Sequence, residues 1–201
     1  NLAPGFMQVM RSQYGQGWLA QQELDGLIVE PKDGALWEFE RLEKNRVEDP
    51  PDQFQDIIVG IDPPAGVGPE ADACGIVAAG RAGVSGFPAT CFVLADASVR
   101  GLKPLDWAAR AVALAREVGA TSIIAEANQG GEMVREVLAM AGASVPIRLV
   151  HARRDKRGRA IPGSALYDQD QVRHVGRLER LERELLMFGT TAQGRSPDRM
   201  D

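Results

Sequence analysis

The sequence is poor in side chains that bind soft metals. It has two cysteines, Cys74 and Cys91, and two histidines, His151 and His174, and none of them stands at the close spacing of a zinc site. Two reduced thiols and a reducing, intracellular compartment are therefore expected. Any metal that the chain binds should be held mainly by oxygen.

Long apolar runs are also missing, as is a nucleotide-binding loop. No stretch approaches the roughly 20 apolar residues of a membrane-spanning helix, so we expect no membrane association. The pattern G-x-x-x-x-G-K-S/T occurs nowhere, which argues against an ATP-hydrolysing motor in this chain.

The chain lacks a positive net charge, and its basic residues are unevenly placed. Lys and Arg number 23 against 28 Asp and Glu, a formal charge of -5 at pH 7, which does not favour a general nucleic-acid-binding protein. Between residues 148 and 159, however, basic residues dominate, with a turn predicted at Gly158. This predicted phosphate-binding segment contains Arg148, Arg153, Arg154, Lys156, Arg157 and Arg159.

What the sequence does contain is strong apolar periodicity. Hydrophobic residues make up 44% and charged residues 25% of the 201 residues, which is typical of one folded globular domain with a short appendage. Apolar runs and helical spacings predict the order β-β-β-α-β-α-β, an α/β fold with a mixed five-stranded sheet, three antiparallel strands first and parallel strands after, flanked by helices. The predicted strands cover residues 57–61, 75–80, 91–96, 121–125 and 145–150, and the helices 105–118 and 133–141.

An acidic segment broken by prolines divides the chain near its first quarter. Residues 48–52, with the sequence EDPPD, start no regular element. We take this joint as the boundary between an N-terminal arm, residues 1–50, and the main domain, residues 51–201.

The last part of the chain is predicted to contain a short helix at residues 164–167, a strand at 172–175 and a helix at 178–188. Arginine and glutamate alternate on the final helix, which is typical of a solvated, ion-paired face. We expect His174 to lie at the surface or to be partly buried.

Two carboxylates follow directly on two of the most apolar predicted strands. Asp62 comes after the strand at 57–61, and Glu126 after the strand at 121–125. Ligands of α/β sheets bind beyond the carboxyl ends of the strands, so we expect the two acids to meet at one site. Like charges that close need a cation, and Mg²⁺ or Mn²⁺ suits oxygen ligands.

A second acidic pair, Asp198 and Asp201, follows Ser196-Pro197, a typical helix start, and residues three apart share a helical face. Three or four carboxylates around hard cations are typical of phosphodiester hydrolysis by two metal ions roughly 3.5 to 4 Å apart. Asn128, two residues after Glu126, is predicted either to hydrogen-bond a phosphate or a metal-bound water, or to cap the helix that begins near residue 129.

Four segments in this order closely resemble the nuclease domain of phage terminase large subunits, in the versions found in prophages and gene transfer agents. The segments are IIVGIDPP at residues 57–64, GIVAAG at 75–80, IAEANQGG at 124–131 and SPDRMD at 196–201. The resemblance implies an RNase H-like fold and a metal-dependent endonuclease that cuts concatemeric double-stranded DNA with two divalent ions, Mg²⁺ or Mn²⁺.

The resemblance also implies roles for individual residues. Asp62 matches the aspartate of the first strand, Glu126 the acid that ends the fourth strand, and Asp201 the acid of the C-terminal motif, with Asp198 as a neighbour that shares the metal. DNA contact is implied for Lys156, Arg157 and Arg159, and we expect it also of Arg154 and Asn128.

The partners implied by the resemblance are double-stranded DNA, an ATPase motor domain of the same full-length protein, and the portal and small terminase subunits. Residues 1–50 would then be the linker from that ATPase domain, which this chain does not contain. The implied location is the cytoplasm of a bacterial host cell, transiently at the procapsid portal.

Three other functions are compatible with parts of the pattern. A junction resolvase or integrase would share the fold, although the arm and the SPDRMD sequence disfavour it. A sugar-kinase or actin-like ATPase also opens with a strand that ends in aspartate, and its chemistry would depend on ATP. A catalytically silent RNase H-like module that docks portal or small-subunit proteins would keep the fold without the cleavage.

Overall fold

The computed structural model describes residues 35–64, 66, 72–83, 89–128 and 130–189. Asp198 and Asp201 lie outside these ranges, as does most of the predicted N-terminal arm. Within the described ranges, no helix combines the length and the apolar character needed to cross a membrane.

Strands of one sheet and five helices make up the described chain. The strands are β1 (Arg46–Val47), β2 (Asp56–Asp62), β3 (Ala73–Ala82), β4 (Thr90–Asp96), β5 (Val99–Arg100), β6 (Ser122–Glu126), β7 (Ile147–Val150) and β8 (Val172–Val175). The helices are α1 (Phe39–Lys44), α2 (Pro104–Glu117), α3 (Glu132–Met140), α4 (Lys156–Asp168) and α5 (Glu179–Met187).

The sheet has the order β1-β8-β4-β3-β2-β6-β7, and β5 pairs separately with β3. Strands β2, β3 and β4 form an antiparallel meander, and β6 and β7 continue from β2 in parallel. The predicted mixed sheet is therefore confirmed. It is wider than the five predicted strands, because β8 joins β4 in parallel and β1 joins β8.

Helices cover the sheet on both faces. The first core lies under α2 and α3 and includes Val59, Ile61 and Ile123, which are at most 4% exposed. The second core lies on the other face, where α1, α4 and α5 bury residues such as Trp37 and Leu185. Because side chains alternate along a strand, the central strands contribute to both cores.

Helix α2 forms as its apolar spacing predicts. Pro104 stands in the first turn, where its missing N–H costs no hydrogen bond, and Trp107, Ala111 and Ala115 are buried against the sheet. The helix ends at Glu117, and Gly119 follows with φ of +64°, the left-handed conformation that commonly terminates a helix.

Helix α4 corrects the sequence interpretation of the basic segment. The predicted turn at Gly158 is wrong, because α4 begins at Lys156 and includes Gly158 in its first turn. The side chain of Asp155 caps this helix by accepting a hydrogen bond from the Gly158 N–H at 2.8 Å. The helix also continues through Pro162, since burial of Ala160 and Tyr167 in the second core outweighs the weak helix propensity of the glycines and the proline.

Helix α5 and strand β8 hold a fully buried polar group, whereas the sequence interpretation placed His174 at the surface or partly buried and the helix glutamates on a solvated face. His174 is 1% exposed and Glu182 is 3% exposed, so neither belongs to a solvated face. His174 Nδ1 lies 2.9 Å from Glu182 Oε1, and Arg46 donates to the same oxygen at 2.7 Å. Burial is tolerated here because each polar group has a partner.

Residues before the predicted domain boundary pack into the second core. Trp37 contacts the rings of Tyr167 and Phe188, with centroid separations of 6.0 and 5.9 Å. Strand β1 extends the sheet beside β8. Asp170, which follows α4, links that helix to α1. Its carboxylate accepts hydrogen bonds from side chains in and next to α1, namely Arg41, Lys44 and Asn45.

Candidate metal centre

Asp62 and Glu126 end two neighbouring parallel strands, β2 and β6. Ile61 pairs with Ala125 in the register of these strands, so the next residue of each strand, Asp62 and Glu126, lies at the same level of the sheet. Ile61 and Ala125 are buried in the first core. The two carboxylates therefore project from the opposite face, toward α4.

The two acids share a small and shielded space. Adjacent strands of a sheet lie about 4.8 Å apart, and the side chains of Asp62 and Glu126 are only 18% and 16% exposed. Two carboxylates this close repel each other unless positive charge accompanies them. Positive groups must therefore accompany these two acids.

Helix α4 supplies two cations to this acid pair. Lys156 Nζ lies 3.6 Å from Asp62 Oδ2, and Arg159 donates to Glu126 Oε2 at 2.7 Å. Residues three apart share one face of a helix, so a single face of α4 reaches both acids. The capping of α4 by Asp155 fixes where that face begins.

Asn128 fastens the chain after β6 to the segment that leads into α4. Its side-chain amide donates to the Ala152 carbonyl and accepts from the Ala152 N–H, both at 3.0 Å. Together with the hydrogen bond from the Ala127 N–H to the Val150 carbonyl, these contacts extend the β6–β7 pairing beyond the strand ends. The predicted helix cap by Asn128 is wrong, because α3 begins after Gly131 without a side-chain cap.

The chain leaves β6 through a tight turn that depends on glycine. Gly130 and Gly131 have φ angles of +104° and +54°, in the region that side chains with a Cβ rarely adopt. The turn brings α3 back over the first core within a few residues of Glu126.

The predicted DNA-binding residues divide into two groups in the structure. Lys156 and Arg159 turn toward the acid pair, as described above. Arg154, which precedes α4, and Arg157, within α4, are exposed. The helical phase of α4 separates Arg157 from Lys156 and Arg159, which the local sequence does not.

The donor set of the acid pair fits a hard divalent cation. Carboxylate oxygen is the ligand that Mg²⁺ and Mn²⁺ prefer, and the acids already sit beside positive groups. Within the part of the chain that the structure describes, no group of three or more His, Cys, Asp or Glu side chains is arranged so that it could hold a metal ion. Of the predicted ligands, Asp62 and Glu126 are brought together, while Asp198 and Asp201 lie outside the described residues.

Comparison of sequences identifies one family. The profile of the family described as the terminase RNaseH-like domain matches residues 59–201, a range that contains all four predicted acids. No curated protein matches the chain in sequence.

Several solved structures share the fold at low sequence identity. The P22 large terminase nuclease domain superposes with a TM-score of 0.61 at 12% identity, over 85% of this chain and 88% of that chain. The large terminase nuclease from thermophilic phage G20c with bound magnesium gives 0.56 at 17% identity, over 85% and 94%. A large terminase from a thermophilic bacteriophage in complex with ADP gives 0.58 at 10% identity, and it covers 100% of this chain but 47% of that chain. The RNase H-like fold class predicted from the sequence is thereby confirmed.

Proposed function

The chain belongs to the terminase RNase H-like domain family, and from this premise we propose that it is the endonuclease domain of a DNA-packaging terminase large subunit. The domain cuts concatemeric double-stranded DNA by metal-dependent hydrolysis of phosphodiesters. One observation carries the proposal. Asp62 and Glu126 lie at equivalent levels of two neighbouring parallel strands and project from the same face.

The cofactors in this proposal are two divalent ions, Mg²⁺ or Mn²⁺. When bound, such ions activate a water for attack and stabilise the leaving oxygen of a phosphodiester. Asp62 and Glu126 are the described ligands, and Asp201 with its neighbour Asp198 supplies the further carboxylate. The magnesium bound in the structure of the large terminase nuclease from phage G20c supports the choice of a divalent ion.

Lys156 and Arg159 have a double role in this proposal. In the chain as described, they neutralise the acids and so lower the repulsion between them. If Asp62 and Glu126 held metal ions, Lys156 and Arg159 beside them would be available to bind a phosphate group of the DNA. The other proposed DNA contacts are Arg154 and Arg157 of the basic segment and Asn128 after β6.

The remaining parts of the proposal concern the full-length protein. Residues 1–50 include the linker to an ATPase motor domain, and the ADP-bound large terminase of which this chain covers 47% supports that arrangement. The portal and the small terminase subunit are the proposed protein partners. The proposed location is the cytoplasm of a bacterial host, transiently at the procapsid portal.

Cleavage of plasmid DNA tests the proposed function. The purified chain is incubated with supercoiled plasmid and Mg²⁺ or Mn²⁺, and nicked and linear products are measured over time. We expect cleavage that EDTA abolishes. Asp62→Asn and Glu126→Gln should each reduce the rate by more than the roughly 10- to 100-fold that follows loss of an outer-shell contact, because they remove a direct ligand.

Asp56→Asn is the matched control for these substitutions. Asp56 is in the same strand as Asp62 but at its opposite end, where it makes an exposed ion pair with Arg81 at 2.8 Å. This variant should cut at the wild-type rate. Equal cutting by Asp62→Asn, Glu126→Gln and the wild type would mean that a contaminant cuts the plasmid, and the proposed function would be lost.

The cleavage assay also separates the rival functions when it is repeated with a four-way junction and a linear duplex as substrates, and with ATP added. A folded wild-type chain that cuts no DNA with either ion would favour a silent docking module. Strong preference for a four-way junction over linear duplex would favour a resolvase. Cutting that required ATP would favour an ATPase-linked activity over metal-dependent hydrolysis alone.

A further inference from the structure

An arginine-rich cleft opens beside the acid pair, and the proposed catalytic roles make no use of it. The cleft has a volume of about 520 Å³ and lies between β5, α2 and α5. Among the residues that the structure describes, the charged side chains lining it are those of Arg100, Arg110, Arg180, Arg183 and Glu184. We call it the arginine cleft.

The four arginines come from three elements that are distant in the sequence. Arg100 is in β5, Arg110 in α2, and Arg180 and Arg183 stand three residues apart on α5, on one face of that helix. All four are exposed. Arg110, Arg180 and Arg183 bring like charges together at one place, which favours the binding of an anion there.

The arginines of α5 do not form the ion-paired face that the sequence predicted. Among the residues that the structure describes, no ion pair links Arg110, Arg180 or Arg183 to a carboxylate. Arg110 instead donates from Nε to the Ala97 carbonyl at 2.8 Å, which holds its guanidinium against the wall of the cleft. Glu182, the acid between the two α5 arginines, is buried beneath the helix.

The cleft lies at the same end of the sheet as the acid pair, where β2 ends and β3 begins. Strand β3 stands between them, because Gly75 pairs with Asp62 on one side and Cys74 pairs with Val99 on the other. Two strand spacings, about 10 Å, therefore separate β2 from β5. A DNA duplex carries one negative charge per about 1.7 Å of its axis, so roughly six phosphate charges pass over such a distance.

The side chains of the cleft suit phosphate better than bases. A guanidinium group binds phosphate with two parallel hydrogen bonds. Proteins that bind single strands stack the bases on aromatic rings, whereas none of the described residues that line the cleft is aromatic. An open, basic surface without stacking groups fits the backbone of a duplex.

We propose that the arginine cleft binds the backbone phosphates of double-stranded DNA next to the point of cleavage. The inference rests on the proposed nuclease function and adds a second contact surface to the α4 segment. The cleft holds the duplex on the β4 side of the acids, and α4 holds it over them.

Binding of a labelled duplex in EDTA tests the cleft without interference from cutting. The duplex spans about three helical turns, and fluorescence anisotropy gives the binding constant of the wild-type chain and of the double variant Arg180→Gln/Arg183→Gln at several salt concentrations. We expect weaker binding of every sequence by the variant. The slope of log K against log salt should become shallower by about 2, since each lost phosphate contact removes roughly 0.9.

Arg81→Gln/Arg116→Gln is the matched control, with the same loss of charge from two exposed arginines at the opposite end of the sheet. Thermal unfolding should be unchanged in both double variants. If the wild type cuts plasmid and binds the duplex but Arg180→Gln/Arg183→Gln behaves like the control, the cleft inference fails and the nuclease function stands. A wild type that neither binds nor cuts DNA would overturn both, and single-stranded DNA held as tightly by the same arginines would overturn the assignment to duplex.

Discussion

His174 lies at the centre of a buried chain of hydrogen bonds beneath α5. Its Nε2 is 2.8 Å from the Tyr167 hydroxyl and its Nδ1 is 2.9 Å from Glu182 Oε1. Burial opposes ionisation of Glu182, but the hydrogen bonds from His174 and Arg46 outweigh it and lower the pKa of Glu182 to about 2. Burial also raises the pKa of Tyr167 well above its ordinary value. Glu182 is therefore ionised, and Arg46 balances its buried charge.

We expect the ionised Glu182 to make stability depend on pH. Its folded pKa is lowered from an ordinary value of 4.5 to about 2, so the stabilisation is complete above about pH 4.5 and is lost as the pH falls toward 2. Glu182→Gln should lower the free energy of unfolding by about 3 kcal/mol near neutral pH. The reason is that the half-buried Arg46 loses the carboxylate charge that it pairs with. Urea unfolding from pH 7 down to pH 2 measures the difference, which should narrow below about pH 4.5.

Glu179→Gln provides the control for this prediction, because Glu179 is an exposed acid in the first turn of the same helix. It should change stability by only a few tenths of a kcal/mol at every pH. A difference between wild type and Glu182→Gln that stayed constant down to pH 2 would contradict the assigned role of the charge.

The elements with regular apolar spacing were predictable, and those that depend on distant contacts were not. Strands β2, β3, β4 and β6 and helix α2 follow their periodicity to within one or two residues. Helix α4 could not be delimited, because Gly158 and Pro162 are weak helix formers and the packing of Tyr167 that overrides them comes from elsewhere in the chain. The short strands β1 and β5 have only two residues each, too few for any period.

The site divides in the same way. Asp62 and Glu126 could be found because both stand directly after buried strands, and parallel pairing then brings such residues together. That Lys156 and Arg159 face the acids follows from the helical phase of α4, which the sequence interpretation missed. The arginine cleft had no local signal at all, since Arg100 and Arg183 meet only through the fold.

At the scale of elements, Asn128 is expected to control the start of the segment that leads into α4. Asn128→Ala removes the acceptor for the Ala152 N–H, so hydrogen exchange of that amide should become up to about tenfold faster, as expected for loss of one exposed hydrogen bond. Asn128→Asp keeps an acceptor oxygen and should preserve much of the protection. Exchange measured by nuclear magnetic resonance distinguishes the variants. Unchanged protection of Ala152 in Asn128→Ala would show that the segment is held by other contacts.

At the scale of the whole molecule, residues before the acidic joint at 48–52 pack into the second core and extend the sheet. Trp37 and Leu42 are 6% and 2% exposed in the second core, and β1 covers the outer edge of β8. Arg46 donates a hydrogen bond to Glu182 and so completes the buried hydrogen-bond network around it. Without these residues, β8 would present an unpaired edge and the core would lose one of its aromatic side chains.

Truncation tests whether the boundary predicted at residue 50 delimits a stable domain. Burial of a core tryptophan and of a core leucine each contributes about 3 kcal/mol or more, against a total stability of roughly 5 to 15 kcal/mol for a typical domain. A chain of residues 51–201 should therefore be largely unfolded or aggregated at 37 °C, whereas the full chain should unfold cooperatively. Trp37→Ala in the full chain is the matched point variant, with an expected loss of about 3 to 5 kcal/mol. Equal Tm values for residues 51–201 and for the full chain would mean that the contacts of Trp37, Leu42 and β1 contribute nothing to stability, and the boundary at residue 50 would then hold.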